Sequence, residues 1–168
     1  MKLNKSLRIA IFLFLILANF SCDQVSKSIV RKKIEQHTTI KIIGNNFILT
    51  KVENTGAFLG MGSKFNPAIR DFLFLWFPAL LILLAIIWVF LKKDINISLL
   101  IALSFIIGGG IGNIFDRIIY GSVTDFFHID LGIFKTGIFN LADVSVMIGM
   151  VILLIDNFRL KRKKHNTA

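Results

Sequence analysis

The sequence contains few of the residues on which small secreted or soluble domains depend. Its only cysteine is Cys22, so it has neither an internal disulfide nor a zinc site built from cysteines. Charged residues make up 18% of the 168 residues, where about 25% is usual in soluble proteins. Hydrophobic residues make up 55%, including 17 Phe against a single Tyr. This composition excludes a disordered chain and predicts a small, single-domain integral membrane protein.

Four long apolar stretches predict four membrane-spanning helices. The clearest, residues 72–91, has no charge and as a helix would span the roughly 30 Å of a bilayer core. The predicted spans are residues 8–28, 70–91, 95–116 and 138–158, with intervening outer segments 29–67 and 117–137 and a basic tail 159–168. The first stretch also looks like a signal peptide ending at a lipid-attachment cysteine, Cys22. Because three further spans follow, we favour a retained first helix.

Basic residues flank the apolar stretches and do not form a separate basic surface. The net charge is +10, but nucleic-acid binding needs a solvated basic face, so no nucleic-acid partner is predicted. Basic loops next to spans mark the cytoplasmic side. The sets concerned are Lys2, Lys5 and Arg8, then Lys92 and Lys93, then Arg159, Lys161, Arg162, Lys163 and Lys164. Both termini are therefore predicted to be cytoplasmic, with the two large segments on the outer side.

The first outer segment has the pattern of a β-hairpin. Residues 38–43 and 47–52 are rich in β-branched and apolar residues, and Gly44-Asn45-Asn46 between them is a turn signal. Residues 118–137 are expected to be short and irregular. The predicted fold class is therefore an all-α polytopic membrane protein with four transmembrane helices and a small extracytoplasmic β-hairpin element.

Polar groups cluster where the four-span arrangement places the outer membrane surface. Polar groups inside a membrane are costly and commonly functional. The clusters are Asp23 with Lys27, the segment Asn54-Thr-Gly56-Ala-Phe-Leu-Gly60, the group Asn113, Asp116 and Arg117, the pair Asn140 and Asp143, and Asp125. Each also has a structural interpretation, such as a helix-end ion pair, a plain turn or, for Gly108 and Gly112, close helix packing. Asp143 alone would also suit a proton or cation site.

Asp125 and Asp143 together offer a specific chemistry. Two neighbouring carboxyl groups share one proton, so the ionised group can activate water while the protonated group polarises a carbonyl. The residues that other hydrolytic mechanisms need are not evident in the sequence. Cys22 has no evident histidine partner for a cysteine nucleophile, and His37, His128 and His165 do not have the spacing of metal ligands. No metal, nucleotide or flavin cofactor is predicted.

Five ordered motifs resemble those of the lipoprotein signal peptidases, also called signal peptidase II. They are Asp23-Gln-Val-Ser-Lys27, Asn54-Thr-Gly-Ala-Phe58, Gly109-Gly-Ile-Gly-Asn-Ile-Phe-Asp-Arg117, Gly121-Ser-Val-Thr-Asp-Phe126 and Phe139-Asn-Leu-Ala-Asp143. The resemblance implies a bacterial inner-membrane aspartic endopeptidase that cleaves diacylglyceryl-modified prolipoproteins just before the lipidated cysteine. Its expected partners are these substrates and membrane lipids, and it is expected to be monomeric, with its active site near the outer face.

The resemblance also assigns residue roles. Asp125 and Asp143 are implied to be the catalytic dyad. Supporting or substrate-contacting roles are implied for the remaining motif positions: Asp23, Lys27, Asn54, Gly56, Asn113, Asp116, Arg117 and Asn140. Asp116 and Asp130 are the residues chosen for control substitutions.

Two other classes of function remain open. A small transport or channel subunit would use Asp143 and Asp116 as an ion or proton path. A lipid-anchored structural protein would require processing at Cys22.

Overall fold

The computed structural model describes residues 4–36, 38–57 and 60–165, with side chains to residue 159. Among these residues, four helices are long and apolar enough to cross a membrane, which confirms the prediction of four membrane-spanning helices. The helices are α1 (Lys5–Lys33), α2 (Pro67–Leu91), α3 (Ile97–Tyr120) and α4 (Leu141–His165). The predictions for Lys2, His37, Phe58 and the basic side chains beyond Arg159 lie outside the described residues.

Two polar contacts hold one end of the helix bundle together. The Arg8 guanidinium donates to the backbone carbonyl of Lys93 at 2.7 Å, and the Asn96 amide donates to Asp156 at 2.8 Å. Above these contacts lies an apolar core formed by Phe12, Val89, Leu100 and Ile107. The start of α1, the α2–α3 loop and the latter part of α4 therefore share this end, and the sheet lies at the other.

Glycines on α3 let its neighbours approach closely near the sheet. A Cβ at Gly108 would lie 2.8 Å from Asn19 of α1, and one at Gly112 would lie 2.5 Å from the Asp23 carboxylate. A Cβ at Gly109 would collide with the backbone of Ala142 in α4. These small residues bring α1 and α4 against one stretch of α3.

A three-stranded antiparallel sheet covers this end of the bundle. Its strands are β1 (Thr39–Ile43), β2 (Phe47–Asn54) and β3 (Val123–Ile129), in the order β1-β2-β3. The predicted hairpin at Gly44-Asn45-Asn46 is confirmed. On β3, Phe126 packs against Val30 and Ile34 at the end of α1, which seats the sheet on the helices.

The expectation that residues 118–137 are irregular was wrong. Helix α3 continues to Tyr120 and ends at Gly121, whose φ of 70° suits glycine. Strand β3 follows almost at once and pairs with β2. Helix α4 begins at Leu141 and not at 138, because the backbone of Phe139 pairs with Phe127.

Candidate active site

Asp143 lies in the first turn of α4, where it forms a capping arrangement with Asn140. The backbone N–H of Asp143 donates to Asn140 Oδ1 at 2.9 Å, and the backbone N–H of Asn140 donates to Asp143 Oδ2 at 3.1 Å. This reciprocal pair satisfies two N–H groups that the start of a helix leaves unpaired. The amino-terminal end of a helix also favours negative charge. Asn140 and Asp143, three residues apart, therefore cap the start of α4, and this position suits a carboxylate at Asp143.

Asp125 occupies the middle of β3 and faces the bundle interior. Its carboxyl group accepts hydrogen bonds from the side-chain amide of Asn54 at 3.0 Å and from the side-chain amide of Asn140 at 2.7 Å. Burial raises the pKa of Asp125 to about 7, with a further increase from the nearby charge of Asp143, while the two hydrogen bonds act in the opposite direction. Burial therefore favours the protonated form of Asp125 at pH values where an exposed aspartate is ionised.

Two asparagines connect the carboxyl groups. Asn140 Nδ2 donates both to Asp125 Oδ1 and, at 3.1 Å, to Asn113 Oδ1. The Asn113 amide in turn donates to Asp143 Oδ1 at 2.8 Å. The side chains from β3, α3 and the start of α4 thus form one continuous network that includes both acids.

The two carboxyl groups line a common cavity of about 280 Å³. Its polar wall contains Asn54, Asn113, Arg117, Asp125 and Asp143, and its apolar wall contains Ala57, Phe74, Pro78, Gly110, Ile114, Val123 and Ile138. A second cavity of about 440 Å³ lies on the sheet side and shares Asn54, Asp125 and Ile138 with the first. Asp125 therefore lies between the two cavities. The first is bordered by α2 and α3, and the second by β2 and the residues that precede α4.

Arg117 ties the Asn54–Gly56 segment to α3. Its Nη2 donates to the Gly56 carbonyl at 2.9 Å, and its Nη1 donates to the Asn113 carbonyl at 3.2 Å. The Gly56 amide donates to Asn54 Oδ1 at 3.0 Å, and a Cβ at Gly56 would collide with the Met61 carbonyl. Nε of Arg117 is buried and has no hydrogen-bond partner among the residues that the structure describes.

Asp23, Lys27 and Asp116 do not line the cavity but form a buried charge cluster behind it. Lys27 Nζ lies 2.8 Å from Asp23 and 2.9 Å from Asp116, and the side chains of all three are fully buried. Asp116 also pairs with Arg31 at 2.8 Å. The Asp116 carboxylate holds two cations inside the protein, so we expect that Asp116→Asn would not serve as a neutral control.

Sequence reasoning missed several polar residues around this cluster. Arg31 Nε donates to Thr124 Oγ1 at 2.8 Å, and Thr124 Oγ1 donates to Glu53 at 2.9 Å. The Gln24 amide contacts both Asp23 and Asp116 at 3.1 Å. Arg31 belongs to an ordinary basic run with Lys32 and Lys33, and its partners Asp116 and Thr124 are too distant in the sequence to indicate a buried role.

Comparison with known proteins gives consistent matches along the chain. The family whose model matches is signal peptidase (SPase) II, over residues 15–159. The chain is 36% identical to the lipoprotein signal peptidase of Borreliella afzelii in an alignment of 163 positions, gaps included, which covers 94% of each protein. It is 35% identical to that of Borrelia turicatae in an alignment of 172 positions, gaps included, which covers 99% of each.

The fold also matches solved structures. One, of a bacterial membrane enzyme, has a TM-score of 0.79 at 23% sequence identity, covering 97% of this chain and 94% of the other. A second bacterial membrane enzyme has a TM-score of 0.74 at 22% identity, covering 92% and 94%. At these identities the likeness shows a shared fold.

Proposed function

The chain belongs to the signal peptidase II family, and from this premise we propose that it removes signal peptides from diacylglyceryl-modified prolipoproteins by aspartate-dependent hydrolysis. Cleavage falls just before the lipidated cysteine. The observation that carries the proposal is the shared cavity of Asp125 and Asp143, whose carboxyl groups meet through Asn140 and Asn113. Two linked carboxyl groups can supply both the base that activates water and the acid that polarises the carbonyl group.

In the proposed reaction, Asp143 acts as the base and Asp125 as the acid. The Asp143 carboxylate takes a proton from water as the water oxygen bonds to the scissile carbonyl carbon. Protonated Asp125 donates a hydrogen bond to the carbonyl oxygen. The carbon–nitrogen bond then breaks, and the leaving amine takes a proton from the dyad. The helix start and two N–H donors around Asp143 suit a negative charge, whereas burial of Asp125 favours its neutral form.

Arg117 is well placed to hold the substrate backbone. It borders the same cavity as the two aspartates, and its guanidinium group is a donor suited to a peptide carbonyl. The apolar wall formed by Phe74, Pro78 and Ile114 suits the hydrophobic part of a signal peptide. Substrate binding would therefore combine one polar anchor with an apolar surface at the membrane.

We place the sheet and the two aspartates at the outer face of the bacterial inner membrane, with both termini in the cytoplasm. Lys92, Lys93 and Arg159 lie at the opposite end of the bundle, where Arg8 contacts Lys93. Basic residues at that end support a cytoplasmic position by the positive-inside rule. Tyr120, the last residue of α3 before β3, is exposed, as is usual for tyrosine at the membrane–water interface.

The two alternative functions have less support. For an ion path, Asp116 is already neutralised by Lys27 and Arg31, and the described interior below it is apolar at Phe12, Leu100 and Ile107. For a lipid anchor at Cys22, cleavage would remove Asn19, whose side chain accepts a hydrogen bond from Ser145 at 2.8 Å. Helix α1 is thus an integral part of the bundle on both sides of Cys22.

A cleavage assay tests the proposed function. Purified protein in detergent is mixed with a diacylglyceryl-modified prolipoprotein, and the products are followed by mass spectrometry. We expect a mass loss equal to the signal peptide, and no such loss with the same prolipoprotein lacking its diacylglyceryl group. An intact substrate after incubation with well-folded protein would contradict the proposal, and ion flux in vesicles would then support the transport alternative.

The pH dependence tests the proposed roles of the two acids. Because the pKa of Asp125 is raised to about 7, Asp125 loses its proton as the pH rises through neutrality, and an acid catalyst is lost. We expect kcat/KM to fall above a midpoint near pH 7. Activity that keeps rising to pH 9 would show that no protonated aspartate is required. Asp130→Asn is the matched control, since Lys135 lowers the pKa of Asp130 and keeps it ionised across this range.

A further inference from the structure

We propose that Lys27 is a positioning residue, whose ammonium group fixes the orientation of the Asn113 amide and, through it, the carboxylate of Asp143. The inference rests on the proposed function, since it takes Asp143 as a catalytic residue. It distinguishes between the two roles that the family resemblance leaves for Lys27, support and substrate contact.

The ammonium group of Lys27 has no donor left for a substrate. Its side chain is fully buried, and Nζ lies 2.8 Å from Asp23, 2.9 Å from Asp116 and 2.9 Å from Asn113 Oδ1. A lysine ammonium has three N–H donors and no acceptor. All three donors are therefore used inside the protein.

The contact with Asn113 determines which end of that amide faces Asp143. Asn113 Oδ1 accepts from Lys27 and also from Asn140 Nδ2 at 3.1 Å. The amide nitrogen must then point away from Lys27, and it donates to Asp143 Oδ1 at 2.8 Å. A flipped amide would place its N–H groups against an ammonium and its oxygen against a carboxylate, and both contacts are repulsive.

The same hydrogen-bond network extends from Asn113 to Asp125. Asn140 Nδ2 is held between Asn113 Oδ1 and Asp125 Oδ1, the latter at 2.7 Å. A lysine that pins the oxygen of Asn113 therefore helps to fix the donors presented to both carboxyl groups. Asp23 and Asp116 keep the ammonium in place, and Arg31 balances the charge of Asp116.

Lys27→Met tests the inference, because methionine has a similar shape but no donors. We expect kcat to fall about 100-fold, the size of effect that a small misplacement of catalytic groups produces, while KM stays nearly constant. A substrate contact would instead raise KM. Arg31→Met is the matched control: it removes another cation from Asp116 without touching Asn113, so we expect a much smaller loss of kcat at a similar decrease in Tm.

A double-mutant cycle tests the path through Asn113. If Lys27 acts through that amide, Lys27→Met combined with Asn113→Ala will lose no more activity than Asn113→Ala alone. Losses that multiply would overturn the inference, as would a raised KM with unchanged kcat, or an equal loss in Arg31→Met. Wild-type protein and Asp143→Asn are assayed beside these variants. A folded but inactive wild type would instead overturn the proposed function itself, and the inference with it.

Discussion

Replacing either Asp125 or Asp143 with asparagine will reduce prolipoprotein cleavage by at least about 10⁴-fold, because residues that act as one catalytic unit each cost nearly the full rate enhancement. Asparagine keeps the size of the side chain and one acceptor oxygen, but it can neither take a proton from water nor donate one to the leaving amine. The measurement is the rate of signal-peptide release, followed by mass spectrometry, at equal amounts of membrane-inserted protein.

Thermal stability will separate this loss from misfolding. The pKa of Asp125 rises from 3.8 to about 7 on folding, so the folded state loses stability as the pH rises between these values. Asp125→Asn removes that penalty, and its Tm at pH 8 should equal or exceed that of the wild type. A loss of activity together with a higher Tm would assign Asp125 to the chemistry and not to the fold.

Asp130→Asn is the matched control for both variants. Asp130 lies just beyond β3, and its carboxylate pairs with the exposed Lys135 at 2.8 Å. It touches neither the cavity nor the asparagine network, so we expect cleavage within about twofold of the wild type, as for an ordinary surface substitution. Loss of activity in Asp130→Asn with retention in Asp125→Asn would show that the proposed dyad is wrong.

The features that the sequence predicted correctly are those set by local patterns. An apolar stretch such as residues 72–91 predicts a span because the bilayer imposes its length. The hairpin was predictable because Gly44-Asn45-Asn46 stands directly between its two strands. The polar motifs were predicted to meet at one end of the bundle because each lies next to the same end of a span.

Features that depend on distant partners were not predictable in this way. Strand β3 pairs Asp125 with Val52 of β2, and nothing within residues 118–137 indicates that partner. Helix α1 extends to Lys33, beyond the predicted 28, because Arg31 pairs with the buried Asp116 carboxylate on α3 and Val30 packs against Phe126 of β3. The catalytic roles of Asp125 and Asp143 remain predictions, since their geometry is favourable but their chemistry awaits the assay.

The second large effect is expected at Asp116, where asparagine will destabilise the protein. Its carboxylate is fully buried and accepts from Lys27 at 2.9 Å, from Arg31 at 2.8 Å and from Gln24 at 3.1 Å. With Asp23 the cluster contains two acids and two bases, so Asp116→Asn leaves one unbalanced positive charge among buried groups. Removing one partner of a buried pair costs about 3–5 kcal/mol, and we expect a correspondingly large decrease in Tm in detergent.

A compensating substitution distinguishes charge balance from a loss of shape. Arg31→Gln removes one base, so the double variant Asp116→Asn with Arg31→Gln restores equal numbers of acids and bases. If the buried charge causes the instability, the double variant will be less destabilised than the sum of the two single variants. An Asp116→Asn variant as stable as the wild type would show that the cluster behaves like a surface ion pair, which contributes about 1 kcal/mol or less. Substitution by asparagine is thus expected to have opposite effects on stability at Asp116 and Asp125. The Asp116 carboxylate stabilises the folded site, whereas the Asp125 carboxylate opposes folding but is needed for the proposed reaction.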